Sequence, residues 1–252
     1  MRFIKRLLVV LIIVALAVIL GLGYLGVVPG LSSILGASKP RNLGVTYTDA
    51  DFTSLMAKNH VKRVVLESAP TPQASWVLQG SQTVTAAFTD KEITARLAKA
   101  EGWALDPFTD VQVKIGQDGV VEASGIVHVD RLRAYAEATG VSQDEISTIA
   151  KGMDTYRIPR GSFPAYAKGT LSITNNTLDI NVSQLVIGKL PIPETLYRQA
   201  KAPLESFVHE RLTSGGYGSL SIKSLTFAGG RMNFSGTLPK SVTTARNILG
   251  GQ

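Results

Sequence analysis

The feature that most constrains this chain is a long apolar run close to its N-terminus. Residues 7–28, LLVVLIIVALAVILGLGYLGVV, contain no charged side chain, and Arg2, Lys5 and Arg6 precede them. An apolar helix of roughly 20 residues matches the thickness of the bilayer core, and basic residues flank the cytoplasmic end of such helices. We therefore predict a single-pass anchor in the cytoplasmic membrane at 7–28. Residues 1–6 would form a cytoplasmic stub, and the rest of the chain would be extracytoplasmic.

A cleaved signal peptide is the alternative interpretation of this run. Signal peptides have an apolar segment of about 7–15 residues, followed by a small-residue cleavage site. The run here is longer than such a segment. The best candidate cleavage site, Leu35-Gly36-Ala37, matches the small-residue pattern only loosely. An uncleaved anchor is therefore favoured. The chain has no Cys, which excludes a lipoprotein anchor, disulfides and thiol catalysis.

The charge of the chain does not indicate a nucleic-acid partner. The formal net charge is +7, from 26 basic and 19 acidic residues. The basic residues are scattered, and no basic aromatic stripe or recognised nucleic-acid motif occurs. Such a surface tolerates anionic lipid headgroups, and we predict no binding of nucleic acid.

An eleven-residue segment occurs twice, as TDADFTSLMAK at 48–58 and TDKEITARLAK at 89–99. Thr89 and Glu92 fit a capping box, in which the Thr side chain and the acidic side chain satisfy each other's backbone N–H groups. Asp51 takes the Glu position in the first copy. Apolar residues at helical spacing follow in both copies. Each copy is therefore predicted to be a short capped helix that leads into extended structure.

The remaining chain alternates between strand and helix patterns. DVQVKI (110–115) and VVEASGIVHV (120–129) alternate around a Gln-Asp-Gly turn, which predicts a half-buried antiparallel hairpin. Strands are also predicted at 166–174 and 177–188, with a bulge near Ser183 because the apolar phase changes there. A helical region is predicted over 130–153, with a capping box at Ser142. A long helix is predicted within 189–216, with Pro193 suited to its first turn, and Pro203 should cause a kink or a break in it. An apolar stripe runs along this helix through Leu196, Ala200, Leu204, Phe207, Val208 and Leu212.

These patterns define the predicted organisation of the chain. We expect an α+β fold in which an N-terminal transmembrane helix precedes a curved antiparallel sheet, packed against a long amphipathic helix and short capped helices. The predicted parts are the stub (1–6), the anchor (7–28), a linker (29–46), the extracytoplasmic domain (47–240) and a tail (241–252).

No catalytic, metal or cofactor motif occurs in the sequence. The three His residues lack metal-ligand spacing, and no nucleophile elbow, Walker loop or dinucleotide fingerprint is present. We therefore predict that the protein is not an enzyme and has no metal or cofactor. An enzyme with a scattered site remains the weakest alternative, and Asp110, Glu122 and His128 would be its candidate residues.

The order of elements resembles small bacterial membrane-anchored proteins of the YpmS-like and LmeA-like phospholipid-binding families, which are thought to share a tubular lipid-binding (TULIP-like) architecture. The resemblance rests on the T-D-x-[DE] helix starts, on DVQVKIGQDGVVEASG, and on the L-P-I-P that opens the long helix. It covers about residues 45–240. It implies a long helix against a curved sheet, with an apolar groove between them that holds phospholipid acyl chains.

The resemblance and the alternation together give ten candidate groove-lining residues. They are Val113, Ile115, Val127, Leu171, Ile173, Ile180, Val182, Phe207, Ile222 and Phe234. If these side chains fill a solid core instead, the protein would be a non-enzymatic structural or interaction protein of the cell envelope, with a partner that the sequence does not identify.

Overall fold

The computed structural model describes residues 38–99, 103–155, 161–213 and 220–249. The predicted anchor at 7–28 lies outside these residues. Among the helices of the described segments, none has the length and apolar character needed to cross a bilayer. The described chain is α+β, with a curved antiparallel sheet and a few helices, as the alternating patterns predicted.

The helices and strands alternate along the chain. The helices are α1 (Asp49–Asn59), α2 (Asp90–Ala98), α3 (Val129–Ala138), α4 (Gln143–Thr155) and α5 (Glu194–Thr213). The strands are β1 (Lys62–Leu66), β2 (Trp76–Gln79), β3 (Gln82–Thr89), β4 (Phe108–Ile115), β5 (Val121–His128), β6 (Ser162–Thr174), β7 (Thr177–Ile187), β8 (Leu190–Pro191), β9 (Ser221–Ala228), β10 (Arg231–Leu238) and β11 (Ser241–Ala245).

Strand β6 is a central strand of the larger sheet, which has eight strands, and it pairs with neighbours on both of its sides. One side of β6 pairs with β7, which in turn pairs with β8. The other side pairs with β5 over its first half and with β9 at its end. The β4–β5 hairpin and the β9–β10–β3 unit therefore lie on the same side of β6. Their turns meet where the Gly229 N–H donates to the Gln117 carbonyl at 3.3 Å.

One face of this sheet is apolar and the other is polar. Residues paired directly across antiparallel strands point to the same face. One row across β4, β5, β6 and β7 consists of Val113, Ala123, Ala167 and Leu185. The adjacent row, on the opposite face, consists of Lys114, Glu122, Lys168 and Gln184. The two-residue period thus separates an inner from an outer face across four strands.

Bulges keep this apolar face continuous where the strands bend. The register between β6 and β7 shifts so that Lys168 pairs with Gln184 and Gly169 pairs with Val182. Ser183 is the extra residue, which confirms the predicted bulge. A Cβ on Gly169 would collide with the Asn181 carbonyl oxygen and would lie 3.0 Å from the Val182 Cα. The glycine therefore permits the close strand approach at the bulge.

The same combination of bulge and glycine occurs at two further places. The β9–β10 register shifts opposite Gly236, and a Cβ there would lie 3.1 Å from the Ile222 Cα. The β4–β5 register shifts between Thr109 and Gln112, opposite Gly125. Bulges bend a strand and increase its twist, so these three positions account for the curvature of the sheet.

Helices cover the open edges of the sheet. At the free edge of β4, the Thr94 hydroxyl of α2 donates to the Val113 carbonyl at 3.2 Å and accepts the Val113 N–H at 3.0 Å. At the free edge of β7, the Glu205 carboxylate of α5 accepts the Ile180 N–H at 3.3 Å. Side chains of two helices therefore satisfy backbone groups that would otherwise offer a pairing edge.

The two copies of the repeated segment form a helix pair. Capping boxes are present at both Thr48 and Thr89, as predicted. The helices α1 and α2 pack together, and Lys58 at the end of α1 lies 2.7 Å from Glu92 at the start of α2. In the reciprocal contact, Lys99 pairs with Asp49. The repeat therefore builds two helices whose C-terminal lysines bind each other's N-terminal acidic residues, where the helix dipoles favour such charges.

Three expectations from the sequence need correction. Segment 241–252 was expected to be a tail, but β11 is the middle strand of a second, three-stranded sheet, parallel to β1 and antiparallel to β2. The first helix therefore leads into a parallel pairing with a distant strand. The predicted linker ends in residues that contact the domain, since Val45 is buried. Of the two alternatives expected at Pro203, the break is wrong, because helix α5 is continuous through this residue.

Because Gly169 permits the close approach of β6 and β7, adding a single methyl group there should destabilise the protein strongly. The Gly169→Ala change should lower the free energy of unfolding by about 2 kcal/mol, because the added Cβ collides with the backbone of the bulge on β7. The control Thr170→Ala, at the next and exposed position, should change it by less than about 0.5 kcal/mol. Urea unfolding measures both, and equal effects would contradict the close approach.

The edge contact of α2 can be tested with the equivalent position of the repeat. Thr94→Val should lower stability by about 2 kcal/mol, because it leaves a buried N–H and a buried carbonyl of Val113 without their partner. The hydroxyl of Thr53, the matching residue in α1, is exposed and binds only the Asp49 carbonyl of its own helix. Thr53→Val should therefore cost less than about 0.5 kcal/mol.

The buried carboxylate of Glu92 makes stability depend on pH. Burial would raise its pKa, but hydrogen bonds from Lys58, Ser54 and the Thr89 N–H more than offset this and hold the pKa below the ordinary 4.5. The folded state therefore resists protonation of Glu92 as the pH falls below about 4.5, while the unfolded chain accepts the proton. This contribution to stability is complete above that pH and is lost below it.

Replacement of this carboxylate should reduce both stability and its pH dependence. Glu92→Gln should cost about 2 kcal/mol at pH 7, because Lys58 loses its charged partner. The loss of stability on acidification should also be smaller than in the parent. Glu137→Gln, which breaks an exposed pair with Arg133, is the control and should cost less than about 0.5 kcal/mol.

Candidate functional site

Nine of the ten candidate lining residues lie on the apolar face of the large sheet. The strand registers place them there as Val113, Ile115, Val127, Leu171, Ile173, Ile180, Val182, Ile222 and Phe234. The tenth, Phe207, lies on α5 and is half-buried. The alternation of the sequence therefore identified one shared surface, although its members are not equally covered.

One end of this face is filled by packed side chains. Ile173, Ile222 and Phe234 are buried in a cluster with apolar residues of α1, β3, β7 and α5: Leu55, Val84, Phe88, Leu178 and Leu212. Ile180 packs against the outside of the cluster. At this end the candidate residues form part of the core that joins the helices to the sheet.

The other end of the face is only partly covered. Seven apolar residues in adjacent rows of β5, β6 and β7 are half-buried: Val121, Ala123, Val127, Ala165, Ala167, Leu185 and Ile187. We call these residues the half-covered strip. At its border on β4, beside α2, Val113 and Ile115 are buried. Leu171 and Val182 are half-buried between the strip and the filled end.

Helix α5 follows the edge strand β7 along its length. The Tyr197 hydroxyl donates to the Ser183 carbonyl at 3.3 Å, and the Lys201 ammonium lies 3.1 Å from the Asp179 carboxylate. Only the C-terminal part of the predicted apolar stripe packs on the core, through Val208 and Leu212.

The N-terminal part of this stripe is exposed. The side chains concerned are Leu196, Ala200 and Leu204. This part of the stripe does not cover the sheet, because the polar contacts to β7 place the helix at the sheet edge.

Two cavities lie away from the candidate residues. A cavity of about 610 Å³ lies on the polar side of β6 and β7, and it is bounded by residues 39–41 and 164–166 and by Gln184, Val186, Gly188, Lys189 and Pro191. A second cavity of about 460 Å³ lies between α1, β1 and β11. None of the ten candidate residues lines either cavity.

The segment that precedes α1 crosses the polar face of the sheet. The Arg41 guanidinium lies 3.7 Å from the centre of the Tyr166 ring. The Tyr166 hydroxyl donates to Glu122 at 2.7 Å, and the Leu43 N–H donates to the Gln112 side chain at 2.9 Å. These contacts join the segment to β4 and β6. The sequence does not predict these contacts, because no local pattern in residues 38–45 indicates them.

His128 is the centre of a small polar cluster at the end of β5. Its Nδ1 lies 2.6 Å from the Ser162 hydroxyl, and its Nε2 lies 2.9 Å from the Thr109 hydroxyl. Burial, and then the charge of Arg131, lower the pKa of His128. Both ring nitrogens bind hydroxyl groups of neighbouring strands, and this arrangement ties β4, β5 and β6 together.

The described segments offer no cluster for a metal ion. Among residues 38–99, 103–155, 161–213 and 220–249, no group of three His, Cys, Asp or Glu side chains is placed to hold one. The largest continuous surface of one chemical character on these segments is the apolar face of the sheet.

Comparison of the chain with protein-family models, with curated proteins and with solved structures gives no match. The resemblance to the YpmS-like and LmeA-like families therefore stays a prediction. What bears on function is the strand register and the burial of the residues themselves.

Proposed function

We propose that the protein is a membrane-anchored, extracytoplasmic lipid-binding module, which holds phospholipid acyl chains against the half-covered strip. One observation carries this proposal. Seven apolar residues in adjacent rows of β5, β6 and β7 are only half-buried, whereas helices fill the same face at its other end.

The dimensions and chemistry of the strip suit an alkyl chain. From Val121 to Val127, β5 extends over about 20 Å, and neighbouring strands lie about 4.8 Å apart. The side chains of the strip are aliphatic and carry no hydrogen-bonding group. An alkyl chain gains about 0.8 kcal/mol for each CH₂ that it buries. Such a surface therefore needs no sequence motif to bind lipid.

The predicted anchor would hold this strip close to a source of lipid. A transmembrane helix at 7–28 would keep the domain within the reach of the 29–38 segment from the bilayer surface. The proposal involves no chemical reaction, and no residue is assigned a catalytic role.

A structural or interaction protein of the cell envelope is the second candidate. It is favoured by the packing of Ile173, Ile222 and Phe234 into a filled core, and by the exposed Leu196 and Leu204 on α5. A protein partner could bind these leucines, and the strip would then be a loosely covered part of an ordinary core.

A bulky side chain in the strip should separate the two candidates. If lipid occupies the strip, Ala167→Trp should displace it without unfolding the protein, because the indole takes the place of acyl chain. The control Thr170→Trp places the same side chain at an exposed position on the polar face. Native mass spectrometry of the full chain from detergent should detect bound phospholipid in the parent and in Thr170→Trp, and much less in Ala167→Trp.

A solid core gives the opposite results. The parent would carry no more lipid than Ala167→Trp, and the indole would overpack the interior and destabilise the protein by about 1–3 kcal/mol. Thermal unfolding of the three proteins therefore accompanies the mass measurement. Equal lipid content in all three would contradict the proposal.

A further inference from the structure

Three basic side chains line the larger cavity on the polar side of the sheet. They are Lys39 and Arg41, from the segment that precedes α1, and Lys189, from the turn between β7 and β8. No acidic residue lines this cavity of about 610 Å³. Among the described residues, none of the three forms an ion pair with a carboxylate. We call Lys39, Arg41 and Lys189 the basic corner.

Backbone and ring contacts hold the basic corner in place. The Arg41 guanidinium lies over the Tyr166 ring at 3.7 Å, a cation–π contact that restricts its position. The Gly188 N–H donates to the Pro164 carbonyl at 2.7 Å, which fixes the turn that carries Lys189. Three exposed cations from two separate parts of the fold thus surround one concave surface.

The basic corner lies where the chain enters the domain. Residues 29–38 separate Lys39 from the last residue of the apolar run, Val28, and a fully extended chain of this length spans at most about 40 Å. Leu190 follows Lys189 at the same sheet edge and is exposed, and its pairing with Ile187 places it on the apolar face, next to the half-covered strip. Basic residues beside an exposed leucine are the combination that peripheral segments use at the surface of anionic membranes.

We propose that the basic corner binds the phosphate group of an anionic phospholipid in the bilayer, and that it is the part of the domain that faces the membrane. This inference rests on the proposed membrane anchor and lipid-binding function. The cavity would receive the headgroup, the three cations would neutralise it, and Leu190 would enter the interfacial layer. Bound in this way, the domain would have a fixed orientation on the membrane.

The absence of Cys from the chain allows a direct test with single labelled cysteines in the full chain. An environment-sensitive fluorophore on Leu190→Cys reports on the basic corner. The control label on Leu97→Cys lies on α2, at the opposite edge of the sheet, and Leu97 is similarly exposed. Both proteins are reconstituted into phosphatidylcholine nanodiscs, with or without phosphatidylglycerol, that contain a brominated lipid as quencher.

The label at 190 should be quenched more strongly than the label at 97, and phosphatidylglycerol should increase this difference. In the labelled protein, Lys39→Gln with Lys189→Gln should lower the apparent affinity for phosphatidylglycerol on the order of tenfold. Lys62→Gln with Lys240→Gln removes the same charge from exposed positions near β1 and β11, and should have a much smaller effect.

Three results would overturn the inference: equal quenching of the two labels, no response to phosphatidylglycerol, or equal losses in the two double variants. Its failure can be distinguished from failure of the lipid-binding proposal. If phospholipid co-purifies with the parent and is lost in Ala167→Trp, but the label at 190 is not quenched, only the basic corner is wrong. If the label responds but no lipid is bound to the strip, only the strip is wrong.

Discussion

The structure depends on the continuity of one apolar face across a bent sheet. A strand exposes alternate residues to alternate faces, so a single extra residue moves every following side chain to the wrong side. At three register shifts, each opposite a glycine, the extra residue forms a bulge. The strand bends there, and the apolar side chains after the bulge point to the same face as those before it. Without the bulges, residues on either side of Ser183 could not share one surface. The curvature and the shared face therefore have the same cause.

The helices bind backbone groups that the strands leave unpaired at the edges of the sheet. Thr94 and Glu205 satisfy backbone groups at opposite edges, and Glu92 joins the two copies of the repeat through Lys58. Because α1, α2 and the end of α5 gather at one end of the apolar face, they bury that end and leave the half-covered strip at the other. The unequal distribution of helices thus accounts for both the filled core and the proposed lipid site.

Local chemistry made part of this fold predictable from the sequence. Capping boxes at Thr48, Thr89 and Ser142, and the bulge at Ser183, follow from short patterns and agree with the structure. The parallel pairing of β1 with β11 could not be predicted, because it joins segments far apart in the chain. The exposure of Leu196 and Leu204 could not be predicted either, since the spacing of apolar residues does not show whether a helix covers a face or an edge. Glycines within strand patterns were a usable signal for the other bulges.

The most direct test of this account is the location of bound lipid. A crystal structure of the full chain with a phospholipid brominated along its acyl chains would show the bromine positions by anomalous scattering. The account predicts bromine peaks along the half-covered strip, over β5, β6 and β7. Peaks confined to other surfaces, or strip side chains covered by the protein's own residues, would contradict it.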